Sequence, residues 1–331
     1  MPEKLFRAAL REALLEEMER DERVFLIGED IGVFGGAYRV TEGLLDRFGP
    51  MRVVDAPIAE EVIAGTAIGA AMSGLRPVVE MMTINFSLQA YDQIVQNAAK
   101  IRYMFGGEVS VPMVVRLPGG AGHQLSSQHS HSFEVLYSLV PGLLAVAPTT
   151  PEDAKGLLKS AIRTDNPVMF LESMSLYNLR GEVPDGDYTT PIGKAAIRRR
   201  GSDLTIIGVS RQAVLAGIAA QRLEDEDVDA EVIDIRSLRP IDWPTLVDSI
   251  RRTSRCLVVE EGWATYGVGA ELAAGLQERA FDDLDAPIRR LGGAEVPMPY
   301  NKEMERAAIP SADDIVREAL RVVGKRQPAA V

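Results

Sequence analysis

Glu60 and Glu61 stand side by side where a run of small and apolar residues begins, inside the stretch Pro57 to Gln93. An acid at such a place is either a first-turn residue favoured by the helix dipole or an inward carboxyl able to hold or share a proton near neutral pH. Position alone leaves both readings open. All three histidines of the chain, His123, His129 and His131, fall within nine residues of one glycine-rich loop, Pro118 to His131. A His-x-His pair with a third His nearby suggests metal ligands, but no Cys and no clear carboxylate stands beside it. A flexible loop carrying His better suits substrate handling or proton transfer; a plain exposed polar loop is the remaining reading. Phe86, set among Asn85, Ser87 and Gln89, is either a ring packed on the core or a flat face for a heteroaromatic ligand.

These residues need elements to hold them. Ala64, Gly65, Ala67, Gly69, Ala70 and Ala71 make the helix after Glu60 unusually slim, and Gly65 and Gly69, four apart, share one face that another backbone can approach closely. A strand, Pro77 to Met82, a polar-aromatic loop, Thr83 to Ser87, and a helix from about Leu88 to 104 follow. Upstream, Phe6, Leu10, Leu14 and Met18 mark an amphipathic helix with Arg11, Glu12, Glu16 and Glu19 on its polar side. The short strand Val24 to Ile27 runs into Gly28-Glu29-Asp30-Ile31-Gly32, a pattern typical of the carboxyl edge of a parallel sheet. Strands at 52–55, 111–117, 143–147 and 167–171, and a helix capped by Thr150, complete a first alternation of strand and helix.

A connector, 188–200, separates this from a second alternation. Strands are expected at 204–209, 230–235, 256–259 and 287–291, and helices at 213–223, 243–250 and 268–280, with a last helix capped by Ser311. The predicted organisation is therefore α/β, with a first domain over 1–187, a linker over 188–200 and a second domain over 201–331. The tail from Lys325 reads as a frayed end.

The length of 331 residues suits two domains, and 46% hydrophobic with 25% charged residues suits a sizeable core. A net charge of -12 argues against nucleic acid as the main partner and permits a basic protein partner. The three basic runs, at 198–200, 251–252 and 289–290, read as solvated faces or helix C-terminal charges. The single Cys256 allows no disulfide within the chain and sits in an apolar, strand-like run. No apolar run reaches the ~18 residues needed to span a membrane. The acid-bearing first helix does not read as a signal or transit peptide, so the expected location is the cytoplasm.

Several ordered stretches together carry a resemblance. They are Asp55-Ala-Pro-Ile-Ala-Glu60, Gly69-Ala-Ala-Met-Ser-Gly-Leu-Arg-Pro77 and Glu80-x-Met-Thr-Ile-Asn-Phe86-Ser-x-Gln89-Ala-x-Asp-Gln93. With them stand Gly28-Glu-Asp-Ile-Gly, Gln128-His-Ser, Pro141-Gly-Leu, Ala154-Lys-Gly-Leu-Leu-Lys, Val232-Ile-Asp-Ile-Arg-Ser-Leu-Arg-Pro240, Asp285-Ala-Pro and Glu295-Val-Pro-Met-Pro-Tyr300. Over nearly its whole length the chain resembles the β subunit of thiamine-diphosphate-dependent 2-oxo-acid dehydrogenases, the decarboxylating component of pyruvate dehydrogenase and related complexes.

That resemblance implies two three-layer α/β/α domains, a transketolase-like pyrimidine-binding domain followed by a transketolase C-terminal-like domain. It implies that Glu60, not Glu61, hydrogen-bonds the ring nitrogen of the cofactor's aminopyrimidine, whose imino form then removes the thiazolium proton. Phe86 matches the ring that stacks on the pyrimidine, Gln89 its polar neighbour and Glu29 an acid close to the same ring. His129 matches the loop His near the substrate and the incoming lipoyl group. The implied reaction is oxidative decarboxylation of a 2-oxo acid, pyruvate first, with acyl transfer to the lipoyl group of an acyltransferase core whose peripheral-subunit-binding domain docks on the acidic C-terminal domain. Branched-chain 2-oxo acid and acetoin enzymes are alternatives within the class, and a non-catalytic assembly module is one outside it. The family's magnesium-diphosphate motif, Gly-Asp-Gly, is missing; Asp185-Gly-Asp187 is its reverse. The implied enzyme is therefore shared with an α subunit that holds magnesium, in an α2β2 tetramer. Several relatives bind potassium through backbone carbonyls at positions matched by Met113, Ala161, Ile162, Thr164 and Asn166, and Thr164 stands where some have an acid. His131 also departs from the Gln common after His-Ser.

Overall fold

The computed structural model describes residues 2–325. The end of the chain read as frayed lies, from residue 326 on, outside the described residues. Residues 2–119 and 136–192 form one compact unit; 120–135 and 193–325 form a second.

In chain order the first unit's strands are β1 (Glu3–Leu5), β2 (Val24–Gly28), β3 (Val53–Asp55), β4 (Arg76–Glu80), β5 (Val114–Gly119), β6 (Leu144–Val146), β7 (Val168–Ser173) and β8 (Arg180–Glu182). Six of them lie side by side in the order β6-β7-β5-β4-β2-β3, all parallel. Strands β2, β5 and β7 are buried along their whole length, as continuous apolar strands covered on both faces must be. β1 and β8 make a separate antiparallel pair. The helices are α1 (Phe6–Arg20), α2 (Leu44–Phe48), α3 (Glu60–Met72), α4 (Ile101–Met104), α5 (Glu134–Ser138), whose first two residues belong to the 120–135 segment of the second unit, and α6 (Pro151–Arg163). The Thr150 hydroxyl caps α6 by accepting from the Asp153 N–H at 3.2 Å.

The polar side of α1 is not simply solvated. Glu16 receives Lys155 at 2.7 Å and Lys159 at 2.5 Å, and Glu17 receives Arg163 at 2.6 Å. Both lysines are buried, so the Ala154-Lys-Gly-Leu-Leu-Lys run of α6 is a lysine ladder facing the acids of α1. The expected continuous helix from Leu88 to 104 is broken. A 3-10 turn, Phe86–Leu88, precedes a π-helical segment, Gln93–Ala98, and then α4. The carbonyl of Ala99, which ends the π segment, lies against Gly142, where an added Cβ would be 2.0 Å from it.

The second unit contains β9 (Ala196–Arg199), β10 (Leu204–Gly208), β11 (Ala230–Asp234), β12 (Ser237–Arg239), β13 (Cys256–Trp263) and β14 (Arg289–Gly293). Five form a sheet in the order β14-β13-β10-β11-β9, parallel except for β9. Thus 196–199, which lacks a readable period and falls in the expected connector, is an antiparallel edge strand. The helices are α7 (Arg211–Glu224), α8 (Trp243–Thr253), α9 (Val268–Ala280), α10 (Lys302–Ala308) and α11 (Ala312–Val322). Alternation along β10 separates the layers: Leu204 and Ile206 join the core with Ala216, Ala220 and Ile315 of α7 and α11. Thr205, on the other face, hydrogen-bonds Ser249 at 2.6 Å and Thr253 at 2.7 Å on α8. Ser311 and Asp314 complete the capping box of α11. Cys256 is fully buried in β13, and burial pushes its thiol up to about 12. The basic runs are paired rather than only solvated; Arg198 meets Asp234 at 2.7 Å and Arg252 meets Glu231 at 2.6 Å.

Candidate active site

The carboxyl ends of the parallel strands hold the first group of candidate residues, at the edge where such sheets collect ligands. Gly28 ends β2 and pairs with Asp55 of β3 and Glu80 of β4. A Cβ on Gly28 would lie 2.7 Å from the Glu80 carbonyl, so glycine is required there. Asp55 then fixes the loop after Glu29: its carboxylate accepts from the Gly32 N–H at 2.6 Å and the Val33 N–H at 3.2 Å. The Asp30 φ of 54° turns the chain, and the Gly36 N–H closes the loop on the Asp30 carbonyl at 2.9 Å.

Glu60 is the first residue of α3 and is 4% exposed, whereas Glu61 is exposed and lies 3.5 Å from the Gln93 amide. The helix start therefore turns one acid of the pair inward and the other outward. Glu29 is also buried, and burial, then the Glu60 carboxylate and Asp30, push its carboxyl above the ordinary range. Among the described residues neither Glu29 nor Glu60 has a hydrogen-bond donor or a cationic partner. Phe86 opens its 3-10 turn half-buried, with its N–H on the Thr83 carbonyl at 3.1 Å, and Gln89 follows, exposed. Two buried carboxyls without donors, in the same unit as a half-open aromatic ring, fit a flat nitrogen heterocycle that brings its own N–H groups.

A charged cluster that sequence reading missed lies beside this edge. Arg116, 1% exposed on β5, grips Glu172 of β7 with a two-pronged contact at 2.7 and 2.8 Å and also reaches Glu80. Tyr177 donates to Glu172 at 2.7 Å. Burial, with Glu172 adding, outweighs Arg116 and holds the Glu80 carboxyl above its usual range. Burial, then Glu80 and Glu172, push the Tyr38 hydroxyl up to about 12. The available signal was an Arg inside the apolar run Val114-Val-Arg-Leu, which in a buried strand demands partners.

The histidine loop lies in the second unit. It is tied rather than loose at its neck: the Gly120 N–H donates to the His131 carbonyl at 2.9 Å, and Glu261 of β13 accepts from the Ala121 N–H at 2.6 Å. His129 ends a 3-10 turn, Ser127–His129, and is half-buried; His123 is exposed. His131 stacks on Phe133 at 4.1 Å and meets Trp263 edge-on at 5.9 Å, and burial lowers its pKa. No group of three His, Cys, Asp or Glu arranged for a metal occurs among the described residues.

Of the five carbonyl positions matched to a potassium site, Ile162 and Thr164 both accept from Arg76 Nη1 at 2.9 Å, and Met113 accepts from the Val168 N–H at 2.9 Å. Ala161 lies buried in α6, and the Asn166 side chain accepts from Arg102 at 2.9 Å.

The transketolase pyrimidine-binding domain family matches residues 3–180, and the transketolase C-terminal domain family matches 193–315. A solved split-gene transketolase, described as an inactive β4 tetramer, superposes with a TM-score of 0.79 over 97% of this chain and 99% of its own, at 21% identity. The molecule is thus a transketolase-type two-domain α/β chain. Curated relatives named pyruvate dehydrogenase E1 component subunit β are 48% identical: one from Rickettsia felis over 96% of this chain and 97% of its own, and a mitochondrial one from Dictyostelium discoideum over 97% and 91%. The chain belongs to the family of pyruvate dehydrogenase E1 component β subunits.

Proposed function

We propose that this chain combines with an α subunit into an α2β2 enzyme that decarboxylates pyruvate and passes the acetyl group to the lipoyl group of an acyltransferase core. The observation that carries the cofactor part is the pair of buried carboxyls, Glu29 and Glu60, which have no donor among the described residues. When bound, thiamine diphosphate would supply the nucleophilic carbon and the electron sink for loss of carbon dioxide from a 2-oxo acid. Glu60 would hold a proton toward the ring nitrogen of the aminopyrimidine, as a charge-assisted hydrogen bond in a site where no chain donor competes. Glu29, whose carboxyl is pushed above the ordinary range by burial and then by the Glu60 charge, is a second acid close to the same ring. Phe86 presents a ring face to the heterocycle and Gln89 a polar edge. His129 moves a proton at the substrate or the lipoyl sulfur. Pyruvate is preferred to a branched-chain acid or acetoin because the relatives at 48% identity bear the pyruvate name.

The α subunit is needed for the diphosphate and its magnesium, because this sequence has no Gly-Asp-Gly motif. The slim face of α3 suits it: Gly69 has nothing within 4 Å of where a Cβ would stand, and Val62 and Met72 of α3 and Ile58 just before it are exposed. The net negative charge suits docking of the basic peripheral-subunit-binding domain. A potassium ion at the matched carbonyls would share Ile162 and Thr164 with Arg76, each carbonyl having two lone pairs. Among the described residues no helix is long and apolar enough to cross a membrane. The bacterial relatives suggest a cytoplasmic enzyme.

Calorimetry with thiamine diphosphate and magnesium tests the shared site. Binding is expected only after this chain is mixed with the α subunit; tight binding to the chain alone would overturn the reading.

A further inference from the structure

The loop carrying His129 is held by two carboxylates from distant parts of the second unit. Glu305 of α10, 1% exposed, accepts from the Gly122 N–H at 2.9 Å, the Gln124 N–H at 3.1 Å and the Gln124 side-chain amide at 2.7 Å. The geometry that makes this possible is unusual. Gly120, Gly122, Gln124 and Ser126 all have left-handed φ, of 88, 107, 55 and 66°. Backbone of this kind turns successive N–H groups toward one point and makes an anion-binding concavity, and at Gln124 and Ser126 it is strained for a residue that carries a side chain. Here the anion is the protein's own Glu305. Asn301 caps α10 and its carbonyl receives the Glu305 N–H at 2.8 Å, so the helix start aims that side chain into the loop.

Glu261 holds the neck. One oxygen accepts from the Ala121 N–H at 2.6 Å and the Ser132 hydroxyl at 3.2 Å, one contact on each side of the loop; the other oxygen meets Arg211 at 3.3 Å. With the Gly120 to His131 bond at 2.9 Å, both ends of the loop are fixed and the first half is clamped. The turn Ser127–His129 closes the far side, with the His129 N–H on the Ser126 carbonyl at 3.3 Å.

We infer that Glu305 and Glu261 are positioning residues: they set the place of the His129 imidazole by holding the loop's backbone, rather than by touching substrate. The inference rests on the role of His129 proposed above. Histidine chemistry is sensitive to displacements of about an ångström, and a carboxylate that receives three donors is hard to replace by a carboxamide, which offers one accepting oxygen.

The test uses the assembled α2β2 enzyme and the variants His129→Ala, Glu305→Gln and the double variant. Three quantities are read: decarboxylation of pyruvate with an artificial electron acceptor, reductive acetylation of a free lipoyl domain, and hydrogen exchange of the 120–132 peptide. Glu305→Gln is expected to speed exchange of that peptide alone by about tenfold, the scale of one lost hydrogen bond to a charged group. It should slow the same half-reaction as His129→Ala, and the double variant should be no slower than His129→Ala within about twofold, as coupled positions require. Unchanged loop exchange, or losses that multiply in the double variant, would overturn the positioning role while leaving His129 in place. If His129→Ala leaves both half-reactions intact, the reading of His129 falls and the positioning role with it. Should Glu305→Gln not assemble, Glu305→Asp, which keeps the charge at shorter reach, is read by the same three measurements.

Discussion

Glu60 lies near enough to Glu29 for its carboxylate to help burial push the Glu29 carboxyl upward, while Glu61, the next residue, faces outward. At Glu29 the repulsion from the Glu60 charge adds to burial in disfavouring the ionised form. Replacing Glu60 by Gln removes that repulsion and the proton-holding group together. The assembled enzyme should lose about 100-fold or more in pyruvate decarboxylation, the scale of an acid-base group, and the Glu29 carboxyl should titrate closer to its ordinary value by NMR. Full activity in Glu60→Gln would show that the inward acid holds no essential proton.

Arg116 reaches both Glu80 and Glu172 in the middle of a buried sheet. Arg116→Met leaves two buried carboxyls without their cation and should destabilise the fold by about 3–5 kcal/mol. Arg116→Lys should recover only part of that, because an ammonium cannot reproduce the two-pronged contact with Glu172. Denaturant unfolding of the three proteins measures this; equal midpoints would show that the cluster has relaxed or taken up water.

Acid–base linkage gives a pH signature in the second unit. Burial, with Glu261 and Glu260 adding, pushes the Glu134 carboxyl up to about 8 against the pull of its own backbone N–H, and burial pushes Glu260 up to about 7. Between the ordinary carboxyl value and these, the folded chain keeps protons that the unfolded chain has released. Stability therefore falls as pH rises through that window. Melting temperatures taken from pH 5 to about 8 should decline, and Glu134→Gln should flatten the decline. A steeper decline in the variant would contradict the assignment.

Gly69 separates folding from assembly. With nothing within 4 Å of its Cβ direction, Gly69→Leu should leave the isolated chain as stable or up to about 1 kcal/mol more stable through helix propensity. The same side chain should block close packing of α3 on a partner, so the variant should fail to co-purify with the α subunit. An intact α2β2 assembly would move the partner surface elsewhere.

The periodicities of α1, α6, α7 and α9, the Thr150 cap, the Ser311 capping box and the alternation of strand and helix are written in neighbouring residues. They depend on bonds and contacts within about four positions, which is why the two α/β units could be read directly. The start of α3 at Glu60 was equally local. Which of two adjacent acids faced inward was not local: it depended on how α3 lies on its sheet. The same holds for the π turn at Gln93–Ala98, set against Gly142, and for β9, whose edge position shows no alternation.

By itself the sequence determined the order of elements, the slim helix and the chemistry-bearing residue types, because these follow from each residue's preference and its near neighbours. The tertiary structure alone decided that Arg116 joins Glu80 and Glu172, and that Glu305, 183 residues from Gly122, clamps the histidine loop. Those contacts exist only once strand register and loop closure have brought distant segments together, and the loss of water there makes each buried charge seek a partner that no local pattern names.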